Sequence, residues 1–183
     1  MKKALMLFAE GFETVEALMV VDILRRGGVE VTMTSITEEE SVKSAQNITV
    51  EMDATMGEVD LAEYDAVILP GGMPGTLHLK EHKGLADLLC KFNEKGKRIA
   101  AICAAPTVFG ALGLLKEKAA CCYPGMEEQL NCKEAKFCSF VTDGNITTSR
   151  GVGTAIPFAL ELIRQLFGNE KASEIAESIV YKE

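Results

Sequence analysis

The stretch Arg98-Ile99-Ala100-Ala101-Ile102-Cys103-Ala104-Ala105-Pro106-Thr107-Val108-Phe109 decides the fold. Its apolar first half is typical of a buried β-strand. Its second half predicts a helix, because Pro106 suits a first turn in which its missing N–H would have no partner. Cys103 falls at the junction, where open α/β sheets bind their ligands. A buried structural cysteine is the alternative, since most free cysteines fill cores.

A nucleophile at such a junction stands on a sharp turn over the sheet, an arrangement known as a nucleophile elbow. The exposed N–H groups and the dipole of the following helix favour a thiolate there. The sequence therefore predicts a reactive Cys103 whose pKa is depressed.

The size and charge of the chain limit what it can be. At 183 residues and 19.8 kDa, residues 1–183 fit one domain with a substantial core. The 27 acidic residues exceed the 19 basic ones, and no Lys/Arg cluster occurs, which argues against a nucleic-acid or membrane partner. The apolar start is interrupted by Glu10, Glu13 and Glu16, so we interpret it as a first strand and expect a cytoplasmic protein.

The six cysteines do not form a recognisable metal or disulfide pattern. No C-x-x-C pair occurs and only two histidines are present, so we expect no metal, no cofactor and reduced thiols. Adjacent Cys121 and Cys122 are expected to fill the core.

Strands and helices alternate along the chain. Ala4–Phe8, the helix Thr14–Arg26 and the strand Val29–Ile36 predict one βαβ unit with parallel strands. Residues 37–56 predict an antiparallel hairpin or edge excursion. The further predicted elements are strands at 66–69, 119–123, 136–141 and 146–148, and helices at 85–92, from the elbow to about 115, at 154–167 and at 169–179 capped by Asn169. This pattern predicts a three-layer α/β sandwich.

Three loops are predicted to follow parallel strands: residues 9–13, residues 70–76 and the Cys103 elbow. The carboxyl ends of such strands form one binding crevice. The segment Pro70-Gly71-Gly72 offers backbone N–H groups that can form an oxyanion hole beside Cys103, although a tight turn without a ligand is the alternative.

Glu16 lies in the first turn of a predicted helix that is otherwise apolar. It is either a surface residue favoured by the helix dipole or an acid/base group in the crevice with a raised pKa. Glu13 competes for that role. His78 and His82, four residues apart, can share a helical face, but we expect both to be solvated.

Four motifs in register carry a family resemblance that runs nearly end to end. The chain resembles the ThiJ/PfpI superfamily and, within it, the DJ-1-like branch. The motifs are Glu10-Gly11-Phe12-Glu13 with Glu16 and Val21–Gly28, then Leu69-Pro70-Gly71-Gly72, then Ala100–Pro106, and then Thr148–Thr154.

The resemblance implies a flavodoxin-like sandwich that forms homodimers. It implies that Cys103 is the oxidation-sensitive elbow cysteine, that Glu16 hydrogen-bonds it, and that the amides of Gly72 and Ala104 border a small anion pocket. Members of the branch are described as cofactor-free glyoxalases, deglycases of glycated proteins, redox-sensing chaperones or thiazole-phosphate proteins.

The chain departs from the family pattern at three positions. Tyr123 stands where part of the branch has a crevice histidine, and a phenol is a poor base at neutral pH. Ala104 replaces the histidine of the protease branch, which argues against peptidase activity. Gln46 stands where related dimers can supply an arginine to the partner's pocket.

We expect a thiol enzyme of the glyoxalase or deglycase type, with Cys103 as nucleophile and Glu16 as acid/base, acting on small reactive carbonyls or glycated side chains. The alternative is a redox sensor or chaperone that works through oxidation of Cys103. Thiazole-phosphate metabolism is weaker, because Arg150 is the sole candidate for a phosphate contact. Tyr123 and Arg150 are expected to line the pocket.

Overall fold

A seven-stranded sheet forms the centre of the protein in the computed structural model, which describes residues 1–182. Its order is β10-β11-β7-β6-β1-β2-β5, and only β10 runs antiparallel to its neighbour. These strands are β1 (Lys3–Phe8), β2 (Glu30–Ser35), β5 (Ala54–Thr55), β6 (Ala66–Leu69), β7 (Arg98–Ile102), β10 (Phe140–Asp143) and β11 (Ile146–Ser149).

Two small ribbons accompany the sheet. Strands β3 (Ser41–Lys43) and β4 (Thr49–Glu51) pair antiparallel, which confirms the hairpin predicted for residues 37–56. Strands β8 (Ala119–Ala120) and β9 (Glu134–Ala135) pair in parallel beside β10.

Helices cover both faces of the sheet. They are α1 (Thr14–Arg26), α2 (Gly75–Glu81), α3 (Lys83–Glu94), α4 (Pro106–Ala111), α5 (Ala155–Phe167) and α6 (Asn169–Ser178), and short 3₁₀ turns lie at Leu61–Glu63, Glu127–Leu130 and Val152–Thr154. When the two-residue edge strand β5 is left out, the five longer parallel strands β2-β1-β6-β7-β11 follow the order 2-1-3-4-5 of flavodoxin-like folds, counted along the chain. The predicted three-layer α/β sandwich is therefore confirmed. No helix within residues 1–182 is long and apolar enough to cross a membrane.

The alternation of side chains along β1 divides the core into two. Ala4, Met6 and Phe8 pack towards α1, α5 and α6, whereas Leu5 and Leu7 pack towards α3 and α4. All five residues are fully buried, as expected for a central parallel strand covered on both faces.

The strand order brings three loops together at one edge. Strands β1, β6 and β7 are adjacent and parallel, so the loops that follow them meet at their carboxyl ends. The order reverses direction between β1 and β6, and this switch point is where open sheets of this kind bind ligands. The sheet thus places residues 9–13, residues 70–74 and Cys103 at the same crevice.

The elbow helix is shorter than the sequence predicts. Helix α4 ends at Ala111 rather than near Leu115, because Gly113 adopts a φ of +72° just after the Leu112 cap. A residue larger than glycine at position 110 would also be excluded, since its Cβ would lie 2.3 Å from the carbonyl oxygen of Gln129.

The strand predicted at 136–141 is displaced, and β10 begins only at Phe140. The Lys136 N–H still donates to the Ala120 carbonyl, so this residue extends the small β8–β9 ribbon before the chain crosses to the main sheet. The strand predicted at 119–123 is shorter than predicted, because only the two residues of β8 form a strand there. The cap predicted at Asn169 is also wrong, because Gly168 is the cap and α6 starts at Asn169.

Candidate active site

Cys103 occupies a strained turn immediately after β7. Its φ of +66° lies in the left-handed region, which costs a residue with a Cβ on the order of 1–3 kcal/mol. Two backbone hydrogen bonds hold the turn: the Cys103 N–H donates to the Ser149 carbonyl at 3.0 Å, and the Tyr123 N–H donates to the Cys103 carbonyl at 2.8 Å. Pro106 opens the helix that follows, as predicted. The geometry is that of a nucleophile elbow.

Glu16 reaches this elbow from the first turn of α1. A glutamate with an ordinary pKa is ionised at neutral pH and normally exposed, but Glu16 is only 1% exposed. Its carboxyl group hydrogen-bonds the Cys103 thiol, and its Oε2 accepts a bond from the Gly71 N–H at 3.1 Å. Glu13 instead caps α1, accepting the Glu16 N–H at 2.7 Å. Of the two acids considered, Glu16 is therefore the one paired with the thiol.

The backbone amides near Cys103 divide into two sets. Those of Ala104 and Gly72 point at the Cys103 sulfur. The Gly71 amide, which the sequence assigns to the anion pocket, is instead used by Glu16. A side chain at Gly71 would place its Cβ 2.5 Å from the Cys103 Cβ, so glycine is required for the close approach of the pair.

The two acids of the pair have pKa values shifted in the same direction. Burial raises the pKa of Glu16 to about 7, against the opposing hydrogen bond with Cys103. Burial, the nearby Glu16 carboxylate and their hydrogen bond raise the pKa of Cys103 to about 12. The prediction of a depressed Cys103 pKa is therefore wrong, because these causes outweigh the two amide N–H groups and α4 has only six residues.

With these pKa values, Glu16 and Cys103 together keep at least one proton from neutral to strongly alkaline pH. A thiolate at Cys103 therefore coexists with a protonated Glu16, or forms while its proton passes to that carboxylate. This arrangement suits a base that removes the thiol proton only when sulfur attacks.

An open cavity of about 600 Å³ adjoins the pair. Tyr123 and Arg150 line it, as predicted, and Tyr123 is 51% exposed. The other lining residues are Glu13, Glu16, Cys103, Pro124, Phe137, Cys138, Ser139 and 151–154.

The sequence reasoning missed Phe137, Cys138 and Ser139. They lie in the segment that crosses from β9 to β10, for which the sequence pattern predicts a strand. The Asp143-Gly144 turn was the available signal for their position. It joins β10 to the antiparallel β11, and β11 runs parallel to β7. The residues that precede β10 must therefore lie at the carboxyl edge of the sheet.

The histidines lie elsewhere and do not share a helical face. His78 is exposed on α2 and its Nδ1 contacts the Glu10 carbonyl oxygen at 2.9 Å. His82 lies between α2 and α3, where its Nδ1 accepts the Leu85 N–H. Gln46 binds within its own chain, since its Oε1 accepts the Thr14 hydroxyl at 2.8 Å.

The remaining thiols are unpaired. All six cysteines are free, and Cys121 and Cys122 are buried, as expected for core residues. Within residues 1–182 no group of three or more His, Cys, Asp or Glu side chains is arranged to hold a metal ion.

Comparison with known proteins gives the family. Residues 2–165 match the model of the DJ-1/PfpI family. The chain is 38% identical over 181 residues to protein dj-1beta of Drosophila melanogaster, covering 98% of this chain and 97% of that protein. It is 33% identical over 181 residues to the glutathione-independent glyoxalase DJR-1.2 of Caenorhabditis elegans, covering 97% and 96%.

Two further matches concern length and structure. Protein DJ-1 homolog B of Arabidopsis thaliana is 39% identical over 183 residues, but the match covers 99% of this chain and only 42% of that protein. The solved structure of oxidized Toxoplasma gondii DJ-1 superposes with a TM-score of 0.95 at 35% identity, covering 100% of both chains. The chain belongs to the DJ-1/PfpI family.

Proposed function

We propose that the protein is a cofactor-independent enzyme of the glyoxalase type, which converts α-oxoaldehydes and water to 2-hydroxy acids. The observation that carries this proposal is the buried Glu16 carboxyl, hydrogen-bonded to the Cys103 thiol and with its pKa raised to about 7. A carboxyl that titrates near neutrality can both accept and return a proton. The similarity to a glutathione-independent glyoxalase of Caenorhabditis elegans supports this reaction class.

The first step joins the substrate to the enzyme. Ionised Glu16 takes the thiol proton as the sulfur of Cys103 adds to the aldehyde carbon, and it returns that proton to the aldehyde oxygen. The product is a hemithioacetal. The N–H groups of Gly72 and Ala104, which point at the sulfur, stabilise negative charge as it passes through this region.

The second step moves hydrogen between adjacent carbons. Glu16 removes the proton from the former aldehyde carbon and the ketone oxygen takes up a proton, which gives an enediol. The carbon that carries this oxygen then receives a proton while the hydroxyl group on the former aldehyde carbon loses its proton, which gives a thioester. The former aldehyde carbon is oxidised and its neighbour is reduced, so no external electron acceptor is needed. Water hydrolyses the resulting thioester, which releases a 2-hydroxy acid and restores the Cys103 thiol.

Steady-state conversion of methylglyoxal to lactate tests the assignment. Cys103→Ser and Glu16→Gln should each reduce the turnover number by at least about 100-fold, since each removes a participant in proton transfer or bond formation. Cys138→Ser is the matched control, because it removes the other thiol that lines the same cavity. Turnover that survives in Cys103→Ser would refute the proposal.

A second function is favoured by a separate observation, the close structural similarity to a DJ-1 protein solved in an oxidized form. In this alternative a peroxide oxidises the Cys103 thiolate to a sulfenate with release of water, and a second peroxide gives a sulfinate. The amides of Gly72 and Ala104 and a protonated Glu16 would hold the new oxygens. Mass spectrometry after peroxide treatment, with Glu16→Gln for comparison, tests this role.

Deglycation of protein side chains by the same Cys103–Glu16 pair stays a proposal beside the glyoxalase reaction, and the thiazole-phosphate role is the weaker one. The latter has little support at the cavity, where Arg150 is the one Lys or Arg among the described lining residues. The homodimer and the cytoplasmic location stay predictions.

A further inference from the structure

The charges around the cavity are unequally distributed. Its charged lining residues are Glu13 and Glu16 at the start of α1 and Arg150 in the loop after β11. Glu13 accepts the Glu16 N–H, and burial raises the pKa of Glu16 to about 7, so its carboxyl is only partly ionised at neutral pH. An anion that enters the cavity therefore finds its one cationic partner among the described lining side chains in Arg150.

Arg150 is held in place at both its backbone and its guanidinium. The Thr154 hydroxyl oxygen accepts the N–H groups of Arg150 at 3.2 Å and of Gly151 at 3.0 Å, which fixes the loop after β11. The guanidinium carbon lies 5.7 Å from the centre of the Phe137 ring, and Nε donates to the Cys122 carbonyl at 3.4 Å. Such stacking orients a guanidinium without neutralising it.

The guanidinium lacks a carboxylate partner in the described part of the chain. Residues 1–182 contain nine ion pairs between basic and acidic side chains, and none of them includes Arg150. Its terminal nitrogens likewise make no hydrogen bond to another described residue. In a chain with a net charge of −8, a partly buried arginine without an acidic partner retains its capacity to bind an external anion.

We propose that Arg150 determines substrate specificity by binding an acidic group on the substrate, at the end remote from the carbon that Cys103 attacks. This inference rests on the proposed function and deepens it: the preferred substrate is an α-oxoaldehyde that carries a second, anionic group. Arg150 and Cys103 line one cavity, so a single small molecule can contact both. A planar guanidinium binds a carboxylate through two parallel hydrogen bonds.

The test compares two substrates that undergo the same reaction. Methylglyoxal is neutral, whereas 4,5-dioxopentanoate carries a carboxylate at the far end and yields 2-hydroxyglutarate. Wild-type protein should show the higher kcat/KM for 4,5-dioxopentanoate. Arg150→Gln should lower the ratio of the two kcat/KM values by about 10- to 100-fold, mainly through the KM of the acidic substrate, and Arg150→Lys should fall between the two.

Arg26→Gln is the matched control, because it removes the same charge from an exposed pair with Asp22 on the far end of α1. It should leave the substrate ratio unchanged. A ratio that is equal in wild type and Arg150→Gln, or that falls equally in Arg26→Gln, would overturn the proposal.

A binding measurement separates this proposal from the proposed function. In the Cys103→Ser background, calorimetry should detect tighter binding of 2-hydroxyglutarate than of lactate, and the difference should vanish when Arg150→Gln is added. Equal binding of the two acids would overturn the role of Arg150. Selective binding by a protein that turns over neither oxoaldehyde would keep the anion-binding role of Arg150 and refute the proposed glyoxalase activity.

Discussion

The Gly71 amide donates a hydrogen bond to Glu16 Oε2 over 3.1 Å, which ties the loop after β6 to the first turn of α1. The two residues are separated by 55 positions in the chain. This bond fixes the carboxyl against Cys103, and the absence of a side chain at position 71 makes the approach possible.

Gly71→Ala should therefore disrupt the pair. The added Cβ would lie 2.5 Å from the Cys103 Cβ and 2.6 Å from Glu16 Oε2, so the elbow or α1 must shift. We expect a loss of stability of about 1–3 kcal/mol, measured by urea unfolding, and at least a 10-fold loss of turnover. Gly57→Ala, where the nearest atom is 3.8 Å from the new Cβ, is the control. Wild-type turnover in Gly71→Ala would contradict this account of the site.

Glu16 should make the stability of the fold depend on pH. Its folded pKa of about 7 lies above the reference value of 4.5, so the folded state binds a proton that the unfolded chain has already lost. The associated stability is present below the unfolded pKa and is lost as pH rises through about 7. Glu16→Gln keeps a neutral side chain at every pH. Its free energy of unfolding relative to wild type should therefore increase by on the order of 2 kcal/mol as the pH rises from 5.5 to 8. A gain that is independent of pH would exclude this explanation.

The thiol should respond to the same substitution. Because the Glu16 carboxylate and its hydrogen bond raise the pKa of Cys103, Glu16→Gln should lower that pKa. The thiolate absorbance at 240 nm, titrated against pH with the Cys103→Ser protein subtracted, measures the change. An unchanged or higher thiol pKa would mean that burial alone sets its value.

The strained backbone of Cys103 should be visible in a comparison of two substitutions. At a φ of +66°, Cys103→Gly relieves the left-handed strain that Cys103→Ala retains. The glycine variant should be the more stable of the two by about 1 kcal/mol, despite the greater flexibility of its unfolded chain. If the alanine variant were the more stable, the turn would not be strained in solution.

Much of the fold could be predicted because local signals agreed with one another. The apolar run at 98–102 followed by Pro106 located the elbow, and the βαβ pattern of the first 36 residues set the parallel pairing of β1 and β2. The side chains of β1 alternate between the two faces of the sheet, as the two-residue period of a strand requires, but the sequence left open whether Glu16 lies at the surface or in the crevice.

The remaining features depend on contacts between distant segments. Residues 136–139 have strand-forming composition, but the bond from Lys136 to Ala120 draws them into the cavity wall. The length of α4 is set by glycines rather than by its apolar pattern. The raised pKa of Cys103 arises from burial and from a carboxylate 87 positions earlier in the sequence, and neither is visible in the elbow motif.

The most direct test of the central claim follows one carbon through the reaction. Methylglyoxal labelled with ¹³C at the aldehyde carbon is mixed with the protein in large excess and observed by NMR. We predict that the label appears in the carboxylate carbon of lactate, with many turnovers for each Cys103 and none in Cys103→Ser. Label that stops as a hemithioacetal, in an amount equal to the protein, would contradict the claim.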